Sequence, residues 1–102
     1  MPRFSICVSS YNDAEFLPAC IDSVLNQSFS DFELIIVDDG SPDDTASIIN
    51  SYAMRDARIV PIIKQVNEGV HLGRKSAVAK CSGDLVILLD SDDELGDPLF
   101  LE

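Results

Sequence analysis

Leu85-Val86-Ile87-Leu88-Leu89 runs without a break into Asp90-Ser91-Asp92-Asp93. Five consecutive apolar residues leave no polar face, which is what a parallel strand covered by helices on both sides requires. The run therefore reads as the central strand of a sheet, with carboxylates at its mouth. Asp90, Asp92 and Asp93, with Glu94 beside them, place like charges within a few ångströms. A pair ~4 Å apart repels by ~4 kcal/mol at an effective dielectric of ~20, so the cluster needs a counterion, a proton or wide exposure to water. A divalent cation meets that need: hard oxygen ligands suit Mg²⁺ or Mn²⁺, and few protein carboxylates leave positions for phosphate oxygens. The plain alternative is a solvated acidic loop, since runs of charge are usually surface. An EF-hand loop fails on register: counting from Asp90 puts Leu95 where glycine is needed and Leu101 where the bidentate acid is needed.

Working outward, Phe4 to Ser9 and Phe32 to Val37 are short apolar, β-branched-rich runs, each followed at once by small or acidic polar residues, and both read as strands. Between them Leu17, Cys20, Ile21, Val24 and Leu25 recur at helical spacing, with Asn12 and Asp13 as amino-terminal caps. Ser41-Pro42-Asp43-Asp44 offers a cap residue, a proline suited to the first helical position and an acid three residues after the cap, so a second helix is predicted from there. Ile49, Tyr52 and Ala53 form its apolar stripe, and Arg55, Asp56 and Arg58 mark its exit. Ile59 to Lys64 is a third strand in which Pro61 suggests an edge position or a bulge. Val70 to Lys80 is a third helix, with Gly83 as its terminator. The alternation of strand and helix implies right-handed crossovers and a doubly wound, mainly parallel α/β sheet in three layers. Ligands of such sheets bind beyond the carboxyl ends of the strands. There the sequence places Ser9-Ser10-Tyr11-Asn12, Asp38-Asp39-Gly40-Ser41 and Asp90-Ser91-Asp92-Asp93.

The chain has 102 residues, 46% hydrophobic and 25% charged, enough for one folded domain and too few for two. Its formal charge of −11, from 18 acidic and 7 basic residues, repels a phosphate backbone and argues against nucleic acid as a partner. An anionic small molecule can bind only where a cation, a helix amino terminus or a local basic side chain reverses the sign. No apolar stretch approaches a membrane span and the amino terminus lacks a signal-peptide layout, so a cytoplasmic location is expected. Cys7, Cys20 and Cys81, odd in number and irregularly spaced, suggest buried free thiols and not a disulfide framework or a zinc site.

Among single residues, Asp38 and Asp39 fit helix-dipole complementarity, and Asp39 equally fits a ligand role as acceptor for the imide N–H of a uracil-like base. Tyr11 and the serines before it fit a base or ribose pocket and also ordinary loop chemistry. Arg74 suits two oxygens of a diphosphate, although on a helix surface it and Lys75 could simply be solvated; His71 lies one turn before them.

Val8-Ser9-Ser10-Tyr11-Asn12, Ile21 to Phe29, Val37-Asp38-Asp39-Gly40-Ser41, Asn67-Glu68-Gly69 and Leu89-Asp90-Ser91-Asp92-Asp93 together resemble, in order and spacing, the family 2 glycosyltransferases of GT-A fold. The resemblance covers nearly the whole chain. It implies transfer of a sugar from a nucleotide sugar, commonly a uridine diphosphate sugar, to a glycan, lipid or protein acceptor with inversion. Asp39 would meet the base, Ser10 with Tyr11 would line its pocket, Ser9 and Asn12 would belong to the same nucleotide-sugar site, and Arg74 would approach the diphosphate. Asp90-Ser91-Asp92 matches the Asp-any-Asp motif, with Asp93 following, and between them these residues would hold ribose and metal. The general base would come from a second half of the domain. Residues 1–102 then read as the truncated donor-binding part, inactive alone, with the full-length enzyme peripheral at the inner membrane face and a face exposed at the cut favouring a homodimer. Two departures from the family pattern stand out: Gly73-Arg74-Lys75 followed by Ala77 replaces Ala-Arg-Asn and a glycine, and Ser9-Ser10 replaces proline and threonine. The rival classes are a non-catalytic nucleotide-binding module and a phosphotransfer receiver domain. The receiver carries its acid pair after the first strand, whereas here the pair follows the second.

Overall fold

A computed structural model describes residues 3–12, 14–28 and 30–90, with the backbone alone for Val70, His71, Gly73, Arg74 and Asp90. The chain alternates β1 (Phe4–Ser10), α1 (Leu17–Leu25), β2 (Phe32–Asp39), α2 (Thr45–Arg55), β3 (Ile59–Lys64), α3 (Val70–Ala79) and β4 (Leu85–Asp90). All strand pairs are parallel, in the order β3-β2-β1-β4. The doubly wound α/β sheet expected from the alternation of elements is therefore the fold observed.

Strand periodicity sorts the side chains into two cores. Ile6, Val8, Leu34 and Ile36 point to one face and pack with Leu17, Cys20, Ile21 and Val24 of α1 and Ile49 of α2. Cys7, Ile35 and Val37 point to the other face and meet Ala77 of α3, with Val60, Ile62 and Cys81 around them. Ile36 and Leu34 have no exposed surface, and burying each such side chain contributes ~1.5–3 kcal/mol. Pro61 lies in β3, which is an edge strand, as a residue without an N–H requires.

Three expectations are corrected. Among the described residues β4 is not central: it pairs with β1 alone, and Leu85, Val86 and Leu88 are about half exposed at 47%, 47% and 52%. The central strands are β1 and β2. An apolar run reports what its faces avoid, but strand order is set by which way the crossovers turn.

The first two helices begin later than their cap signals suggest. The residue before α1 is Phe16, which makes no capping bond, and Asn12 instead adopts φ 57°; Asp13 lies outside the described residues. Likewise α2 starts at Thr45, and Asp43 accepts hydrogen bonds from the Thr45 N–H and hydroxyl. Gly83 does not terminate α3, which ends at Ala79. It lies against β1, where a Cβ would meet the Phe4 carbonyl carbon at 2.7 Å.

The amino-terminal edge of the sheet is closed by its own polar contacts. Glu33 accepts hydrogen bonds from the Ser5 hydroxyl and, at 2.6 Å, from the Ser82 N–H, while the Gly83 N–H donates to Ser5 Oγ. Burial pushes the Glu33 carboxyl up, but these donors outweigh it and hold it below its ordinary value.

Candidate functional site

The opposite edge gathers the polar loops. Registers of the parallel ladders set Ser9 beside Asp90, Ser10 beside Asp38 and Asp39 beside Lys64. All four strands thus end on one line. The order reverses direction at β1: β2 and β3 extend to one side of it, and the chain then crosses by α3 to β4 on the other. The crevice of an open α/β sheet lies at such a reversal, here between the end of β1 and the end of β4.

Asp39 is 2% exposed, and each of its oxygens accepts a backbone hydrogen bond. One carboxylate oxygen accepts the Glu68 N–H at 2.9 Å and the other the Gly69 N–H at 2.8 Å. Strand alternation aims it at the α3 face, where the negative charge meets the amino end of α3. The dipole it complements is that of α3, and not that of α2 which follows it in sequence.

Gly40 completes the junction. Its φ of 73° favours glycine, and a Cβ there would meet Asn67 N and the Val66 carbonyl carbon, each at 2.7 Å. The β2 end and the Asn67-Glu68-Gly69 loop are therefore one docked unit. Lys64 adds an ion pair with Glu68 at 2.6 Å.

Asp38 points to the opposite face, is 2% exposed, and accepts the Ser41 N–H at 3.1 Å. Ser41 Oγ in turn accepts the Asn12 N–H at 2.9 Å, and Asp43 accepts the Ala14 N–H at 3.1 Å. The Thr45 hydroxyl, opposed by burial and joined by the Ala14 and Thr45 N–H groups, holds the Asp43 carboxyl below its ordinary value. The loop after β2 thereby fixes the loop after β1, which presents Tyr11 outward at 45% exposure, beside an exposed Asn12 and a half-buried Ser9. Ser10 is buried, its hydroxyl donating to the Val37 carbonyl at 2.7 Å. In this arrangement Ser10 is a brace between β1 and β2.

Arg74 lies in the second turn of α3, and Asp90 ends β4 beside Ser9. Ser91, Asp92 and Asp93 lie outside the described residues. Among the described residues no group of three or more His, Cys, Asp or Glu is assembled that could hold a metal. The loop-to-loop ties through Asp39, Ser41 and Asp43 were not read from the sequence, whose only signal for them was a clustering of polar residues at strand ends.

These features define an open α/β domain whose strand order reverses between β1 and β4. The chain belongs to Glycosyl transferase family 2, whose family model matches residues 5–102. It is 40% identical over 100 residues to the uncharacterized glycosyltransferase EpsJ of Bacillus subtilis, covering 98% of this chain and 29% of that protein. It is 39% identical over 95 residues to chondroitin synthase of Escherichia coli, covering 93% of this chain and 14% of that one. The chain thus spans less than a third of these relatives. Among solved structures, S. aureus TarS 1-349 in complex with UDP-GlcNAc superposes with a TM-score of 0.83 at 30% identity, over 90% of this chain and 27% of that one. The mannosyltransferase PcManGT of Pyrobaculum calidifontis, solved with GDP-Man and Mn²⁺, shares the fold with a TM-score of 0.87 at 22% identity, over 95% of this chain and 29% of that one.

Proposed function

We propose that residues 1–102 are the donor-binding part of a glycosyltransferase, holding a nucleotide sugar of uridine diphosphate type in the β1/β4 crevice for inverting transfer to an acceptor. The observation that carries this reading is the convergence of the β1, β2 and β4 ends at the point where the strand order reverses. The family supports transfer chemistry, and TarS, a relative in fold and sequence, has been solved with UDP-GlcNAc.

In this reading Tyr11 offers an exposed ring for the base, with Ser9 and Asn12 beside it. The Asp39 carboxylate accepts two backbone N–H groups and, with two lone pairs on each oxygen, has capacity left for a base imide. Arg74 on α3 serves the diphosphate as a bidentate donor. Asp90, Ser91 and Asp92 take the ribose side.

A divalent cation fits the donor chemistry of the acid run. Asp90 ends its strand beside Ser9, Asp92 and Asp93 follow it in sequence, and hard carboxylate donors of this kind suit Mn²⁺ or Mg²⁺. When bound, such an ion stabilises the negative charge that builds on a departing nucleoside diphosphate. The chain's own residues bind and orient the donor; proton removal from the acceptor belongs to groups outside residues 1–102.

Calorimetric titration with uridine diphosphate, with and without Mn²⁺, tests the proposal. It predicts metal-dependent, uridine-selective binding that Asp92→Asn abolishes. Equal affinity for other nucleoside diphosphates would remove the uridine assignment, and absence of any binding by the folded chain would remove the donor-site reading.

A further inference from the structure

Cys7 and Cys81 are 74 residues apart in sequence, yet their Sγ atoms are 3.2 Å apart. Closing them to bonding distance requires ~1 Å of approach. Cys7 is on β1 at 2% exposure, whereas Cys81, just after α3, is partly exposed. Cys20, the third free cysteine, belongs to the other core, across the sheet.

We propose that Cys7 and Cys81 form a redox-closing pair: a low-molecular-weight disulfide converts them to an intramolecular disulfide that staples the carboxyl end of α3 to β1.

The two thiols have different roles. Cys81, the partly exposed one, attacks a sulfur of the incoming disulfide as its thiolate, forming a mixed disulfide and releasing one thiolate. Cys7 then gives up its proton to solvent and attacks Cys81 Sγ, releasing the second thiolate. The balance is two protein thiols and one small disulfide giving one protein disulfide and two small thiols.

Burial first, then the hydrogen bond and charge of Cys81, and last the charge of Glu33, push the Cys7 thiol up to about 12. That value suits the group which waits. Capping Cys81 removes the contribution of its charge, so Cys7 becomes easier to ionise at the step that needs its thiolate. Before oxidation the Cys81 thiol donates to the Ala77 carbonyl at 3.4 Å, which leaves the Cys7 S–H to donate to the Cys81 sulfur. The staple joins two elements already in contact, so it closes without repacking the core.

The test exposes the folded chain to oxidised glutathione, blocks free thiols, and determines intact mass and a non-reducing peptide map. The expected product has lost two hydrogens, retains no glutathione and links Cys7 to Cys81. Its thermal midpoint is raised, dithiothreitol reverses the change, and Cys20 remains a thiol. Cys81→Ser, at the more exposed position, should retain both of its remaining thiols under the same treatment. A stable glutathione adduct on Cys81 without ring closure, three unreacted thiols in the folded chain, linkage through Cys20, or an oxidised form with an unchanged or lowered midpoint would each overturn the proposal.

Discussion

Asp39→Asn changes one oxygen to an NH₂ group and nothing else in volume, at a side chain 2% exposed whose two oxygens accept the Glu68 and Gly69 N–H groups at 2.9 and 2.8 Å. The amide oxygen keeps one partner while its NH₂ faces the other N–H, donor against donor. A hydrogen bond to a charged group contributes ~1.5–3 kcal/mol. Gly69 N–H also reaches Asn67 Oδ1 at 2.8 Å, which softens the loss if the amide oxygen turns toward Glu68. The expected cost is therefore ~2 kcal/mol, which for a domain of this size lowers the thermal midpoint by on the order of 10 °C. Asp39→Ala forfeits both acceptors and should cost more. Urea melts give the free energy, and amide exchange locates it: Glu68 and Gly69 should exchange faster while the β1 and β2 interiors do not. A variant within ~0.5 kcal/mol of the wild type, with unchanged exchange at both amides, would refute the account of Asp39 as the anchor of the β3–α3 loop.

Gly69→Ala meets nothing within 4 Å and should cost only its extended positive-φ backbone, ~1–3 kcal/mol. Gly40→Ala should cost clearly more, because its Cβ would also displace the backbone at 66–67; paired thermal melts compare the two. Asp43 has its folded carboxyl below the ordinary 3.8, so its contribution is present above that value and is lost as pH falls through the folded one. The stability difference between wild type and Asp43→Asn should accordingly shrink below about pH 4, and a difference constant with pH would contradict the assignment.

The sequence carried the alternation of strands and helices because each element has its own periodicity: the i, i+3, i+4 stripe of Leu17, Cys20, Ile21 and Val24 in α1, and the apolar runs of β1 and β2. It carried the edge position of Pro61 because a missing N–H is a local property. Helix starts were less legible. Asn12 and Ser41 look like caps, but they serve each other's loops across 29 positions, with Asn12 N–H on Ser41 Oγ. The place of β4 was misread for a related reason, since apolarity reports burial demand and not strand order. In the site, the line-up of Ser9, Asp39 and Asp90 followed from their places at strand ends. That Asp39 anchors α3 and Ser10 braces β2 depends on which backbone groups lie opposite each side chain, which no spacing rule supplies. The contact between Cys7 and Cys81 was equally invisible, being set by how α3 lies on β1.

The claim that the carboxyl edge of the sheet holds the nucleotide is tested most directly by amide NMR of the chain with uridine diphosphate and Mg²⁺, followed by substitution of Mn²⁺. Shifts should concentrate at Ser9 to Asn12, Asp39 to Ser41 and Asp90, and Mn²⁺ should broaden amides around Asp90 first, leaving Phe4, Phe32 and Leu85 at the opposite edge sharp. Perturbation centred on that opposite edge, or on the α1–α2 surface around Pro18 and Tyr52, would contradict the account.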